Sequence, residues 1–269
     1  MPERARRGGG AQRFRATVEY DGTEFAGFQS QRNARTVQGE LEAALARLSG
    51  GQRQPVVGAG RTDAGVHATG QVIAFTYPGR LSEAALTDAL NGTLPPDVAV
   101  RDLRRAPQGF NPRYAARYRE YRYSIWNGTR SPLRERTALW VRQDLDIAAM
   151  ARAATAFEGR HDFSPVGGAD PQPVRTVHRL RVRRDGSLVT IDVRADAFLR
   201  GMVRRIVAVL LAVGKGQLEP SAVPGLLSDG RPALRGAAAP ARGLCLRRVV
   251  LGRRSERNGT QPETGHEDR

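Results

Sequence analysis

The sequence predicts an α+β fold built from a unit that occurs twice, whose two mainly antiparallel sheets could join edge to edge into one continuous sheet with helices on one face. Three observations predict it. Strand-like and helix-like segments follow one another as βαββαβ, and the same order returns in the second half of the chain, the split βαβ pattern of ferredoxin-like (RNP-like) units. The helical segments carry their own start and stop signals. Asp185-Gly186 separates two strand-like runs and is a strong hairpin signal, which an antiparallel arrangement needs.

Taken in order, Arg13 to Tyr20 alternates, with Phe14, Ala16, Val18 and Tyr20 on one side, and Asp21-Gly22 turns the chain. Thr36 is placed to cap a helix in which Val37, Leu41, Ala44, Leu45 and Leu48 share a face, and Gly50 closes it. Pro55 to Gly58 is a short strand that runs into a glycine-rich stretch, and Gln71 to Tyr77 is a strand rich in β-formers. Ser82 caps a second helix through Leu86, Ala89 and Leu90, and Val98 to Leu103 is a further strand. Gln108 to Ala116 links the halves, with Phe110-Asn111-Pro112-Arg113 suggesting an ordered connection.

In the second half, Tyr118 to Trp126 is a strand with Tyr121, Tyr123 and Ile125 on one face. Asp146 caps a helix through Ile147, Met150, Ala154 and Phe157, stopped by Gly159. Val174 to Arg184 and Leu188 to Ala195 flank the hairpin signal. Leu199 to Val213 is the most apolar helix, a short helix is expected near Ala222 to Leu227, and Leu244 to Leu251 is the final strand. The expected halves are residues 13–107 and 108–252, similar in topology and not in sequence. The flanks, a basic arm at 1–12 and a charged tail at 253–269, carry too little apolar surface to offset chain entropy and are expected to be disordered. Joined edge to edge, the halves leave an open face and a central seam in which a ligand could sit.

Charge says what kind of ligand. The chain has 269 residues, 43 basic against 27 acidic, a formal net charge of +16 and a pI near 11.3. That balance calls for a polyanion, nucleic acid ahead of an anionic membrane. Lys215 is the sole lysine, and compositional drift can explain the choice of arginine, but not the excess of basic residues. Arginine also forks onto phosphate and stacks on bases better than lysine. Arg13, Arg101 to Arg105, Arg113 to Arg122 and Arg179 to Arg184 are candidates for a basic groove; on strands such residues also make an ordinary solvated face. Cys245 is the only cysteine, so no intrachain disulfide and no Cys-rich metal site can form, and the four histidines show no metal-ligand spacing. No apolar run is long enough to span a bilayer and the N-terminus has no apolar signal core, so a cytoplasmic location is expected.

The chemistry concentrates in Val57 to Val72, VGAGRTDAGVHATGQV, where Gly58, Gly60, Gly65 and Gly70 surround one acid, Asp63. It is not a Walker A loop, which needs a lysine, nor a dinucleotide fingerprint, whose third glycine is replaced here by Asp63. On spacing alone, a ligand loop with one carboxylate and a tight turn with Asp63 as turn former are equally good readings. Tyr121 and Tyr123 read, on alternation alone, as strand core, and Arg204 as either a solvated helix residue or a partly buried ion-pair partner.

Gly60-Arg61-Thr62-Asp63-Ala64-Gly65-Val66-His67-Ala68 resembles the signature loop of the tRNA pseudouridine synthase A family. Phe198-Leu199-Arg200-Gly201-Met202-Val203-Arg204-Arg205-Ile206-Val207 and Glu120-Tyr121-Arg122-Tyr123 resemble two further motifs of that family. The resemblance covers roughly Arg13 to Leu251 and weakens around Pro165 to Pro173. It implies Asp63 as catalytic nucleophile, Arg61 as the residue that helps extrude the target base, Tyr121 as the ring that stacks on that base, and Arg204 as the partner of Asp63, with Arg205 the fallback. It further implies the duplicated fold, no cofactor and no metal, a homodimer, and a substrate tRNA whose uridines on the 3′ side of the anticodon stem-loop (tRNA positions 38–40) become pseudouridine. A catalytically silent RNA-binding protein of the same fold is the rival reading. His67 and His161 are expected to serve structural hydrogen bonds.

Overall fold

The computed structural model describes residues 10–228 and 238–252. The expected disordered arm (its first nine residues) and the expected disordered tail lie outside the described residues. Ten strands form one mostly antiparallel sheet: β1 (Gln12–Tyr20), β2 (Val57–Gly58), β3 (His67–Tyr77), β4 (Val98–Arg105), β5 (Ala116–Trp126), β6 (Leu139–Trp140), β7 (Gly159–Asp162), β8 (Val174–Asp185), β9 (Leu188–Ala195) and β10 (Leu244–Leu251). Their order is β4-β1-β3-β10-β5-β9-β8-β7, with β2 added to β3 and β6 to β5. Among the described strands only β10 against β3 and β6 against β5 run parallel.

Among the described residues six α-helices accompany the sheet: α1 (Val37–Leu48), α2 (Glu83–Thr93), α3 (Pro112–Ala115), α4 (Ile147–Ala154), α5 (Met202–Gly214) and α6 (Val223–Ser228). The caps fall where the sequence puts them. The side chains of Thr36, Ser82 and Asp146 accept backbone N–H groups from Gly39, Ala85 and Ala149. Phe14, Ala16, Val18 and Tyr20 of β1, Tyr121, Tyr123 and Ile125 of β5, and Val189, Ile191 and Val193 of β9 are buried in one cluster with Leu41, Leu45, Leu86, Leu90, Met150, Ile206 and Leu210 of the helices. The alternate strand residues face away from that cluster, which gives the sheet one covered and one open face.

Three elements depart from expectation. β3 starts at His67 rather than Gln71, because its first two residues pair with Cys245 and Leu246 of β10, almost the whole chain away. The α4 helix ends at Ala154 and tightens into a 3₁₀ turn at Thr155–Phe157. The α5 helix starts at Met202, because Gly201 at φ 69° breaks the run that the apolar spacing suggested from Leu199.

Candidate active site

Asp63 sits on the loop between β2 and β3, where the two parts of the sheet meet, and the backbone of this loop is pinned at nearly every residue. Ala59 N–H donates to the Val72 carbonyl (2.8 Å) and Gln71 Nε2 donates to the Gly60 carbonyl (2.9 Å). Phe28 N–H donates to the Thr62 carbonyl (3.1 Å), and the Thr62 hydroxyl is 2.8 Å from that of Tyr20. Gly65 N–H donates to the Phe25 carbonyl (3.2 Å), and Val66 N–H closes the turn onto the Asp63 carbonyl (3.2 Å). His67 holds the far end: Nδ1 accepts Gly22 N–H (3.0 Å) and Nε2 lies 3.1 Å from the Arg242 carbonyl. Gly22 must be glycine here, since a Cβ would stand 2.1 Å from the Val66 carbonyl oxygen. A loop so held spends little conformational freedom in presenting a side chain to a substrate.

The carboxylate of Asp63 keeps 32% of its surface accessible and lies 3.8 Å from Arg204 Nη1. Arg204 is itself fixed, since its Nε donates to the Ala239 carbonyl (2.7 Å) and its own carbonyl accepts from Ala239 N–H (3.0 Å). The fallback, Arg205, turns back onto the Arg200 carbonyl (3.1 Å). A second guanidinium reaches Asp63: Arg200 Nε is 4.0 Å from Oδ1, with its side chain 90% exposed. At these ion-pair distances the two guanidiniums orient the carboxylate while its oxygens keep lone pairs for a substrate.

Tyr121 is buried on the same side of the sheet, with Phe198 edge-on to its ring (centroids 5.1 Å apart, planes at 86°). Burial pushes its phenol well above the ordinary value; the nearby Arg119 guanidinium opposes this, and the charge of Asp63 adds to it. The hydroxyl therefore stays protonated and feels Asp63, but the ring is covered, so stacking on a base requires Phe198 to move. Arg61 is exposed on the rim, with Nε donating to Gln29 Oε1 (3.0 Å). Tyr123 is core, its hydroxyl donating to the Pro240 carbonyl (2.8 Å).

Two residues escaped the sequence reading. Arg200 stands inside a quoted motif, but the turn that aims it depends on Gly201. Arg119 appeared only among candidate phosphate ligands. The structure instead gives it backbone carbonyls on three segments: Ala59 (2.6 Å from Nη2), Asp196 (2.7 Å from Nη1) and Arg113 (3.3 Å from Nη2). It ties the start of the Asp63 loop to β5 and to the end of β9. Other candidates are similarly occupied: Arg13 donates to the Phe110 carbonyl, Arg101 meets the Thr69 carbonyl and Glu19, and Arg122 pairs with Asp192.

The fold and site define a strongly basic α+β protein with one accessible carboxylate, braced by arginines, on a rigid glycine-rich loop. The tRNA pseudouridine synthase family matches residues 16–115 and 153–250, and the chain belongs to that family. Asp63, Arg61 and Arg204 fall within the matched segments; Tyr121 and Arg119 fall between them. Relatives named tRNA pseudouridine synthase A occur in Geotalea uraniireducens (46% identical, covering 85% of this chain and 95% of the relative), Geobacter sulfurreducens (43%, 86% and 96%) and Moorella thermoacetica (43%, 88% and 98%). Among solved structures, an archaeal box H/ACA sRNP Nop10-Cbf5 complex aligns at 14% identity with a TM-score of 0.34, covering 74% of this chain and 44% of that one, too distant to bear on the fold. No helix among the described residues is long and apolar enough to cross a membrane.

Proposed function

We propose that this protein isomerises uridine to pseudouridine in tRNA, with Asp63 as the catalytic residue. The observation that carries the reading is the single accessible carboxylate on a loop pinned through its backbone and flanked by Arg204 and Arg200. In the reaction the N1–C1′ bond breaks, the base turns, C5 bonds to C1′, the C5 hydrogen leaves as a proton and N1 takes one up. There is no net oxidation, and an ionised carboxylate can open the sequence by adding to the base, attacking C1′ or removing a sugar proton. Arg204 orients Asp63, Arg61 on the rim fills the space left by the extruded base, and Tyr121 lies against the base once Phe198 swings away.

The same reading assigns the anticodon stem-loop as the target, a homodimer as the working form, the cytoplasm as its place, and two ferredoxin-like halves, 13–107 and 108–252, around a central RNA cleft. The strand orders β4-β1-β3-β2 and β10-β5-β9-β8 support the last point, each being the order of one βαββαβ unit. The test is tritium release from tRNA labelled at uridine C5. Wild type should release tritium, and Asp63→Asn, which keeps shape and volume, should fall below detection while still binding tRNA. Turnover by Asp63→Asn within about tenfold of wild type, ~1.4 kcal/mol of barrier, would remove Asp63 from the role. No release by wild type from any tRNA would leave a silent RNA binder of this fold.

A further inference from the structure

The sheet's other face, turned away from Asp63, is lined up by strand register. Arg181 of β8 stands beside Asp192 of β9, Asp192 beside Arg122 of β5, and Arg122 beside Cys245 of β10. The neighbouring row runs Arg179, Arg194, Glu120, Arg248. With Arg183 and Arg247 the charged side chains of these two rows line a groove of about 360 Å³. Its two acids are already used: Asp192 holds Arg122 at 2.7 Å and Glu120 holds Arg194. Arg179, Arg181, Arg183, Arg247 and Arg248 have no carboxylate partner among the described residues.

Unpaired guanidiniums gathered in one groove repel one another, and a polyanion laid along them would relieve that repulsion. Arg179, Arg181 and Arg183 point the same way from alternate positions of one strand, about 6.8 Å apart at ~3.4 Å per residue, a ladder suited to successive charges on a chain. An aromatic ring lies beside it, with the Arg194 guanidinium 4.6 Å above Tyr118. A second copy seated on this same groove would set these arginines against their own like charges. We infer that this open-face groove is a second, sequence-independent RNA site that grips the phosphodiester backbone outside the stem-loop held at Asp63. The inference rests on the reading of the chain as a tRNA-modifying enzyme. Strand alternation turns these arginines to the face opposite the Tyr121 side chain, so a stem-loop docked at Asp63 does not fill the groove.

The test is the salt dependence of binding for wild type and for Arg179→Gln/Arg181→Gln/Arg183→Gln, on full-length tRNA and on an isolated anticodon stem-loop. Circular dichroism melting establishes that the substitutions, at exposed Arg181 and Arg183 and half-buried Arg179, leave the fold intact. On full-length tRNA the variant should bind at least tenfold more weakly at ~0.1 M salt, and its log–log slope should shrink by about 2–3, since each phosphate contact contributes roughly 0.7–0.9. On the stem-loop, affinity should match wild type, and the loss on tRNA should fall on affinity rather than on the saturated single-turnover rate. Arg247→Gln/Arg248→Gln, on a different strand, should act in the same direction. An unchanged slope on tRNA, an equal loss on both RNAs, or a change in sedimentation marking a contact between copies would each overturn the inference. Absence of tritium release by wild type would instead overturn the catalytic reading and leave these binding results standing.

Discussion

Arg204 reaches Asp63 with one nitrogen while another is held by the Ala239 carbonyl, so the two atoms have different jobs. Arg204→Gln removes the charge beside Asp63. A charge-assisted interaction of about 1.5–3 kcal/mol corresponds to a fall of roughly 10–100-fold in single-turnover rate, with tRNA affinity changed far less. Arg204→Lys restores charge but cannot hold Ala239 and Asp63 together, so it should recover part of the rate. A rate unchanged in Arg204→Gln would show that Arg200 alone suffices. At this scale the sequence was informative wherever chemistry is local. Asp63 stood out as the one acid among glycines. Arg119 did not, because its partners are carbonyls 60 and 77 positions away, and carbonyls leave no mark in a sequence. The covered face of Tyr121 was equally invisible, since Phe198 reaches it from beyond β9.

Elements were legible in proportion to how local their causes are. Helix starts at Thr36, Ser82 and Asp146 depend on a side chain and an N–H three residues on, and all three were readable. The strands β6 and β7 were not: the two residues of β6 are ordered by Ile125 and Trp126, and β7 is mostly exposed and ordered by β8. The join between elements is where Arg119 acts. Arg119→Met leaves the Ala59, Asp196 and Arg113 carbonyls without these donors, at about 1–3 kcal/mol for each carbonyl left buried and unpaired. The melting temperature should drop, and kcat should fall more than tRNA affinity as the Asp63 loop loses its anchor. Arg119→Lys can serve one carbonyl and should regain part of both. Full activity with an unaltered melting curve in Arg119→Met would show that the loop is held well enough by its other bonds.

For the whole molecule, burial raises the phenols of Tyr20, Tyr121 and Tyr123 above their ordinary value, with hydrogen bonding from Thr62 opposing this at Tyr20 and arginine charge opposing it at Tyr121 and Tyr123. The unfolded chain releases these protons near pH 10, whereas the folded chain keeps them. Their contribution is thus complete below pH ~10 and is lost as pH rises beyond it, at up to about 4 kcal/mol per pH unit for three groups. The melting temperature should fall steeply above pH ~10, and half of the six tyrosines should gain tyrosinate absorbance only as the protein unfolds. Titration of all six near pH 10 in the folded protein would contradict the burial. The covered face and the strand alternation behind this were legible in the sequence; the order of strands was not, because pairing across the centre is non-local. There β10, last of the strands in sequence, lies between β3 and β5, and Thr69 and the Arg247 carbonyl that face each other across this join are 178 positions apart. On the ribosome, therefore, β4-β1-β3 and β5-β9-β8-β7 can each assemble as they emerge, yet no strand among the described residues pairs one to the other until translation has delivered β10. A nascent chain in that interval already carries most of its arginines, and so attracts RNA before it owns a completed site with which to modify it.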